Sequence, residues 1–184
     1  MKYILSVKDT IELIIQGEIK DLVEYSKAPF IKFQILSTAL EFLGACMDNK
    51  DFAEERVSEE RFNKAITKLM PKKYHKYAKK DASINLYSIL RCGMIHKLKP
   101  LNDKVILTER KNVVKDKKLN MTENDNKQLI VVLEDFYEDI YTACENLKKL
   151  YEIKKLPNNK LAEKYIEVKN GFSADTSNVI EDVK

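Results

Sequence analysis

Residues 123–156 form the longest amphipathic pattern in the chain, and this pattern limits the fold more than any other feature. Its apolar residues recur every three or four positions, which is the spacing of one face of an α-helix. They are Leu129, Val132, Leu133, Phe136, Ile140, Ala143, Leu147 and Leu150. Acidic residues gather in its first half and lysines in its last turns, as the helix dipole favours, and Pro157 ends it. The pattern predicts one long helix that buries an apolar stripe against other elements.

Four shorter stretches have the same helical spacing, at residues 9–26, 29–49, 58–70 and 82–98. The chain has only 4 Gly and 4 Pro among 184 residues, and this scarcity favours helices over strands. The second stretch is apolar over much of its circumference, so we expect it at the centre of the protein. The sequence therefore predicts an all-α protein, an up-and-down helical bundle of about five main helices.

The helical spacing is lost over residues 103–121, just before the longest pattern. The string KVILTER is short and rich in β-branched residues, and the string KLNMT could pair back with it. We expect a small β-hairpin insertion here. Residues 1–156 are expected to form a single helical bundle domain. Residues 157–184 would then be a C-terminal tail, in which residues 160–168 could form one short helix.

Arg91 and His96 stand five residues apart near the end of the fourth helical pattern. An imidazole can transfer a proton near neutral pH, and a guanidinium can hold a phosphate through two parallel hydrogen bonds. On a regular helix, positions five apart point about 140° away from each other. The two side chains therefore converge only if the helix bends, for which Gly93 offers a site, or if two protomers contribute one residue each.

Glu41 interrupts the apolar residues Leu40, Phe42 and Leu43 of the second helical pattern. Two interpretations are equally open. Glu41 is either a solvent-exposed glutamate or a carboxylate that pairs with Arg91 and orients its guanidinium, since a buried charge needs a partner.

An arginine and a histidine at this spacing, late in an internal helix of a small helical protein, resemble the HEPN family. The string from Leu90 to Pro100 carries the resemblance, with Arg-x-Gly, two apolar residues, histidine and a proline soon after. By position, Arg91 matches the motif arginine and His96 the motif histidine. Cys92 stands where active members often have Asn, Asp or His. HEPN domains are helical bundles that usually dimerise with their two motifs at the interface, and many are metal-independent endoribonucleases.

The resemblance implies a function as well as a fold. Arg91 and His96 would be the catalytic pair of a cytoplasmic homodimer that cleaves or binds RNA without a metal ion. Such proteins act in toxin–antitoxin, CRISPR or phage-defence systems, so an antitoxin or another protein would be a partner. The alternative is a non-catalytic helical protein-interaction module, in which Arg91 and His96 only stabilise a turn.

Two lysine-rich runs flank the helix that carries Arg91 and His96. The first is PKKYHKYAKK at residues 71–80, and the second covers residues 97–118. A solvated surface explains any single run of lysines, but two runs around one candidate site favour a polyanion such as RNA. The residues that we expect to contact nucleic acid are Lys72, Lys73, Lys76, Lys79, Lys80, Lys97 and Lys99.

The sequence predicts neither a metal site nor a cofactor. Its two histidines and its three cysteines, Cys46, Cys92 and Cys144, lack the spacing of metal ligands, and no glycine-rich phosphate-binding motif is present. Each cysteine lies in an apolar helical pattern, which indicates reduced core thiols in a cytoplasmic protein. No stretch of the sequence is apolar and long enough to span a membrane, so we expect no membrane partner.

Overall fold

The computed structural model describes residues 2–79, 81–113, 119–169 and 172–173. Its main helices are α1 (residues 7–25), α2 (Pro29–Ala45), α3 (Ser58–Leu69), α4 (residues 87–97) and α5 (Leu133–Glu152). Its strands are β1 (Lys2–Ser6), β2 (Val105–Thr108), β3 (Thr122–Glu123), β4 (Leu129–Val132), β5 (Lys164–Lys169) and β6 (Phe172–Ser173). Short 3₁₀ segments lie at Lys72–Tyr77, Arg110–Asn112 and Lys160–Ala162.

The protein is mainly helical but of mixed α/β class, so the prediction of an all-α bundle was wrong. One sheet has the order β1–β5–β6, with both pairs antiparallel. The other has the order β2–β4–β3, in which β2 is parallel and β3 antiparallel to β4. β1 and β5 come from the two ends of the described chain, where Leu5 stands opposite Ile166. Local periodicity cannot reveal a partner that is so distant in sequence.

The prediction of a β-hairpin within residues 103–121 was also wrong. β2 lies in that range but pairs in parallel with β4, with Val105 opposite Leu129. Residues 114–118, where the hairpin would have turned, lie outside the described residues. The apolar spacing predicts helix over the residues of β4, whereas the longest helix begins at Leu133. A short run of consecutive apolar residues fits a buried strand as well as a buried helix, and periodicity alone does not separate them.

The remaining helical patterns do form helices, although their ends and local geometry differ from the expectation. α1 starts one turn early because Ser6 caps it, with Asp9 N donating to Ser6 Oγ at 3.1 Å. Its middle, Ile11–Glu18, is π-helical. The short helix considered for residues 160–168 is instead a 3₁₀ turn followed by β5, which completes the sheet with β1.

α2 occupies the centre of the protein, as the sequence predicted. It packs against α1, α3, α4 and α5. The fully buried residues of its inner face are Phe33, Leu36, Leu40 and Leu43. Gly44 lies where α2 crosses α3, and a Cβ atom there would overlap the backbone of Arg61. This close crossing fixes the position of α2, and with it the position of Glu41.

None of the helices in the described part of the chain is both long and apolar enough to cross a lipid bilayer.

Candidate functional site

Arg91 on α4 and Glu41 on α2 form an ion pair across the two helices. Arg91 Nε donates to Glu41 Oε2 at 2.8 Å, and the two side chains are 21% and 19% exposed. The pairing that the sequence suggested is therefore present. No other hydrogen bond joins the Arg91 guanidinium to a described residue. Its two terminal nitrogens are therefore free to bind an anion, while the bond to Glu41 fixes the plane of the group.

The local geometry of α4 departs from a regular helix at Arg91. Tyr87–Cys92 is π-helical, and the α-helix resumes at Gly93. Gly93 is required there because a Cβ atom would lie 2.5 Å from the backbone nitrogen of Leu101 and 2.8 Å from the carbonyl oxygen of Lys99. α4 ends as the chain reverses at Leu98, whose φ of 56° is left-handed. The loop that follows α4 therefore returns against the helix at Gly93, two residues beyond Arg91.

A small surface pocket of about 180 Å³ adjoins the ion pair. It is lined by Thr38, Glu41, Phe42, Ala45, Phe52, Arg61, Arg91 and Tyr165. The three aromatic rings pack against one another, with centroids 4.9 to 5.5 Å apart. Two arginines, one glutamate and an aromatic surface therefore line the pocket, and Arg61 is only 3% exposed, so Arg91 is the more accessible of the two cations.

His96 lies outside this pocket. It is solvent-exposed at the C-terminal end of α4, and it does not line the cavity that Arg91 lines. Leu98 and Leu101 just beyond it are 69% and 41% exposed. Arg91 and His96 of one protomer therefore do not line this pocket together. The backbone at Gly93 is regular α-helix, with φ of −60° and ψ of −49°, so the bend considered there is absent, and the two-protomer arrangement stays a prediction.

Tyr87 and Cys92 stand five residues apart on the π-helical part of α4, next to the ion pair. Burial and, as the next largest cause, the neighbouring Cys92 side chain raise the pKa of Tyr87 to about 12. The phenol is therefore protonated at neutral pH and is not suited to act as a base there.

The candidate lysines differ in what they contact. Lys73 Nζ lies 2.6 Å from Asp139 Oδ2, and Lys76 Nζ lies 3.1 Å from Glu123 Oε1, so both are partly neutralised. Lys80 lies outside the described residues. The others are exposed and form no ion pair with a described residue: Lys72, Lys79, Lys97 and Lys99. These four lysines remain the stronger candidates for phosphate contacts.

A buried charge network that was not predicted from the sequence supports the pocket. Arg61 Nε donates to Asp48 Oδ2 at 2.8 Å, and Lys160 Nζ donates to Asp48 Oδ1 at 3.0 Å. All three residues are at most 6% exposed. Burial alone would raise the pKa of Asp48, but the hydrogen bonds from Arg61 and Lys160 outweigh it and hold the pKa below the ordinary value of 3.8. Lys160 Nζ also lies 4.8 Å from the ring centroid of Phe52, which it holds in the pocket wall.

No local signal could have revealed this network, because Lys160 is 112 positions from Asp48. The only hint is that charged residues occur where an apolar pattern ends, and this is common on any surface.

The described residues contain no group of three or more His, Cys, Asp or Glu side chains that could hold a metal ion. Comparison of the chain with protein-family models, curated proteins and solved structures gives no significant match.

Proposed function

We propose that this chain is a HEPN-like RNA-binding protein that cleaves RNA without a metal ion, as a homodimer that brings Arg91 of one copy near His96 of the other. The observation that carries the proposal is the state of Arg91. Glu41 fixes the guanidinium through Nε, and Arg91 lines a surface pocket. A guanidinium already held in one plane loses little freedom when it binds a phosphate through two parallel hydrogen bonds.

In this proposal His96 supplies the proton chemistry. The imidazole accepts the proton of a ribose 2′-hydroxyl, whose oxygen attacks the neighbouring phosphorus while the bond to the 5′-oxygen breaks. The leaving 5′-oxygen takes up a proton from an imidazolium or from water. Arg91 stabilises the negative charge that develops on the phosphoryl oxygens. The products are a 2′,3′-cyclic phosphate and a 5′-hydroxyl.

The surroundings of His96 support the dimer. Because His96 and Arg91 do not share a cavity within one protomer, the site is complete only when a second copy is present. The exposed apolar side chains Leu98 and Leu101 adjoin His96 and offer a surface for that contact. Lys97 and Lys99 in the same segment would bind the RNA backbone. A toxin–antitoxin or phage-defence system is the process that the resemblance suggests, with an antitoxin or other protein as partner.

Fluorescently labelled single-stranded RNA incubated with the purified protein tests the proposal. We expect cleavage that persists in EDTA, leaves cyclic phosphate ends, and is lost in His96→Ala and in Arg91→Ala. The matched control is His75→Ala, because His75 is the other histidine and its Nε2 is bonded to the carbonyl oxygen of Met70. Binding should weaken steeply as salt rises. Loss of activity in EDTA, or equal activity in wild type and His96→Ala, would overturn the nuclease proposal.

A second candidate is a non-catalytic protein-interaction module. The observation that favours it is that His96 does not line the pocket that Arg91 lines, which fits two residues with separate structural roles. This candidate predicts that no RNA is cleaved and that His96→Ala changes thermal stability only. The same RNA assay, combined with thermal unfolding of the variants, separates the two functions.

A further inference from the structure

A second cavity, larger and almost entirely apolar, lies next to the Arg91 pocket. It is a surface groove of about 410 Å³ between α1, α2 and β5. Ile14 and Ile15 of α1 form one wall, Ile35 of α2 forms the opposite wall, and Ile166 of β5 closes one side. The volume falls within the range of about 300–1,000 Å³ that is typical of small-molecule sites.

The groove exists because α2 is apolar on two sides. Its inner face packs in the core, whereas Ile35 and Phe42 on another side are only partly buried. β5 covers part of that outer side through Tyr165 and Ile166 and leaves the remainder open. The nearly uniform hydrophobicity of α2, which the sequence suggested would place it centrally, thus also provides an uncovered apolar surface.

The groove and the Arg91 pocket are continuous. Thr38, Phe42 and Tyr165 line both cavities. One end of the combined site is therefore apolar, and the other end carries a guanidinium whose terminal nitrogens bind no described residue. Thr38 is exposed where the two cavities meet, beside the rings of Phe42 and Tyr165.

We propose that this combined site binds a single-chain anionic amphiphile, a medium-chain carboxylate, with its hydrocarbon chain in the groove and its head group on Arg91. An extended peptide is a poorer occupant, because two of the three walls are helices whose backbone groups are bonded internally. Such a peptide would bury N–H and C=O groups without partners, whereas a polymethylene chain has none. The carboxylate matches the planar guanidinium. It displaces no hydrogen bond that Arg91 makes to a described residue, and its only competition with Glu41 is for the positive charge of Arg91.

Isothermal titration with decanoate, well below micelle formation, tests this inference. We expect one molecule bound per chain, and an affinity that rises by up to about fourfold for each methylene from octanoate to decanoate, as burial of each group predicts. Arg91→Gln should weaken decanoate about tenfold and leave the neutral analogue decanol unchanged. Thr38→Trp should block the junction and weaken decanoate at least as much, and it changes an exposed residue that is not part of the core.

The control for the groove itself is a pair of matched substitutions on one helix. Ile35→Glu places a charge in the groove and should abolish decanoate binding. Ile31→Glu makes the same change at a position on α2 that is 46% exposed and does not line the groove, so it should bind decanoate as wild type does. Circular dichroism would confirm that both variants are folded. If Ile35→Glu proves unfolded, Thr38→Trp decides the question alone.

Two results would overturn the inference: no binding of decanoate to the wild-type chain, or binding that Arg91→Gln and Thr38→Trp both leave unchanged. The inference does not depend on the proposed nuclease function. His96→Ala should bind decanoate normally, whereas Ile35→Glu should leave RNA cleavage intact. Each proposal can therefore fail without the other.

Discussion

Asp48→Asn is expected to destabilise the protein substantially, because Asp48 is the shared acceptor of two buried cations. Arg61 and Lys160 are 3% and 6% exposed, and both donate to the Asp48 carboxylate. An asparagine of the same shape retains one acceptor oxygen but removes the negative charge. It also directs an amide group toward cationic donors. The substitution therefore leaves two buried positive charges without a counter-ion.

The expected magnitude follows from what each cation retains. Breaking a buried ion pair by removing one partner costs about 3–5 kcal/mol. Arg61 keeps its hydrogen bond to the carbonyl oxygen of Phe52 at 3.0 Å, and Lys160 keeps the one to the carbonyl oxygen of Ala45 at 2.9 Å. These remaining acceptors reduce the penalty. We therefore expect the free energy of unfolding to fall by about 3 kcal/mol, at the lower end of that range.

Urea unfolding followed by circular dichroism measures this change. Asp51→Asn is the matched control, because Asp51 lies in the same loop, is exposed, and accepts a hydrogen bond only from the backbone of Ala53 through its side chain. The control should stay within about 0.5 kcal/mol of wild type, as is usual for surface changes. A loss of less than about 1 kcal/mol in Asp48→Asn would refute the reasoning that the network is both buried and dependent on this carboxylate.

The same residue predicts a pH dependence. The pKa of Asp48 in the folded protein lies below its ordinary value of 3.8, so its contribution to stability is present above that value. The contribution is lost as the pH falls from about 4 through the folded-state pKa. Wild type should therefore lose more stability than Asp48→Asn between about pH 5 and pH 2. Parallel pH profiles for the two proteins would contradict the lowered pKa.

Three further substitutions test the site and its support. Glu41→Gln should lower the free energy of unfolding by about 1 kcal/mol in urea titrations, between the values for exposed and buried pairs, and a change near zero would contradict the half-buried pair. Gly93→Ala should cost about 1–3 kcal/mol because its Cβ meets backbone, whereas Gly17→Ala, whose Cβ would have ordinary contacts, should stabilise by about 0.5–1 kcal/mol. Leu98→Glu should convert the expected dimer to a monomer in light scattering, and Ile153→Glu, at a 57% exposed site, should not.

Much of the helical framework could be predicted from the sequence, because a helix is encoded locally. The spacing of apolar residues located α1, α2, α3 and the main part of α5, and hydrophobicity on more than one side placed α2 at the centre. The ion pair between Glu41 and Arg91 could also be anticipated, since a charge in an apolar helix requires a partner and few candidates exist.

The strands could not be predicted in the same way, because the pairing of distant segments has no local signature. β1 and β5 are short and become a sheet only because the fold brings the chain ends together. The residues of β4 fit the helical pattern of the sequence, and only the parallel pairing with β2 makes them a strand. The same limit explains why Asp48, Arg61 and Lys160 were missed as a network, since their proximity depends on the position of the segment after α5.

The sequence by itself therefore determined most of the helical framework and the reactive residue types, and it offered the pairing of Arg91 with Glu41 as one of two open interpretations. Only the tertiary structure decided that His96 lies outside the pocket of Arg91, because the direction of each side chain depends on the π-helical segment and on the loop that returns against Gly93. It also decided that α2 keeps one apolar side uncovered, because the extent of cover is set by where β5 lies. Periodicity records which residues share a face, whereas contacts between faces depend on the packing of the whole chain.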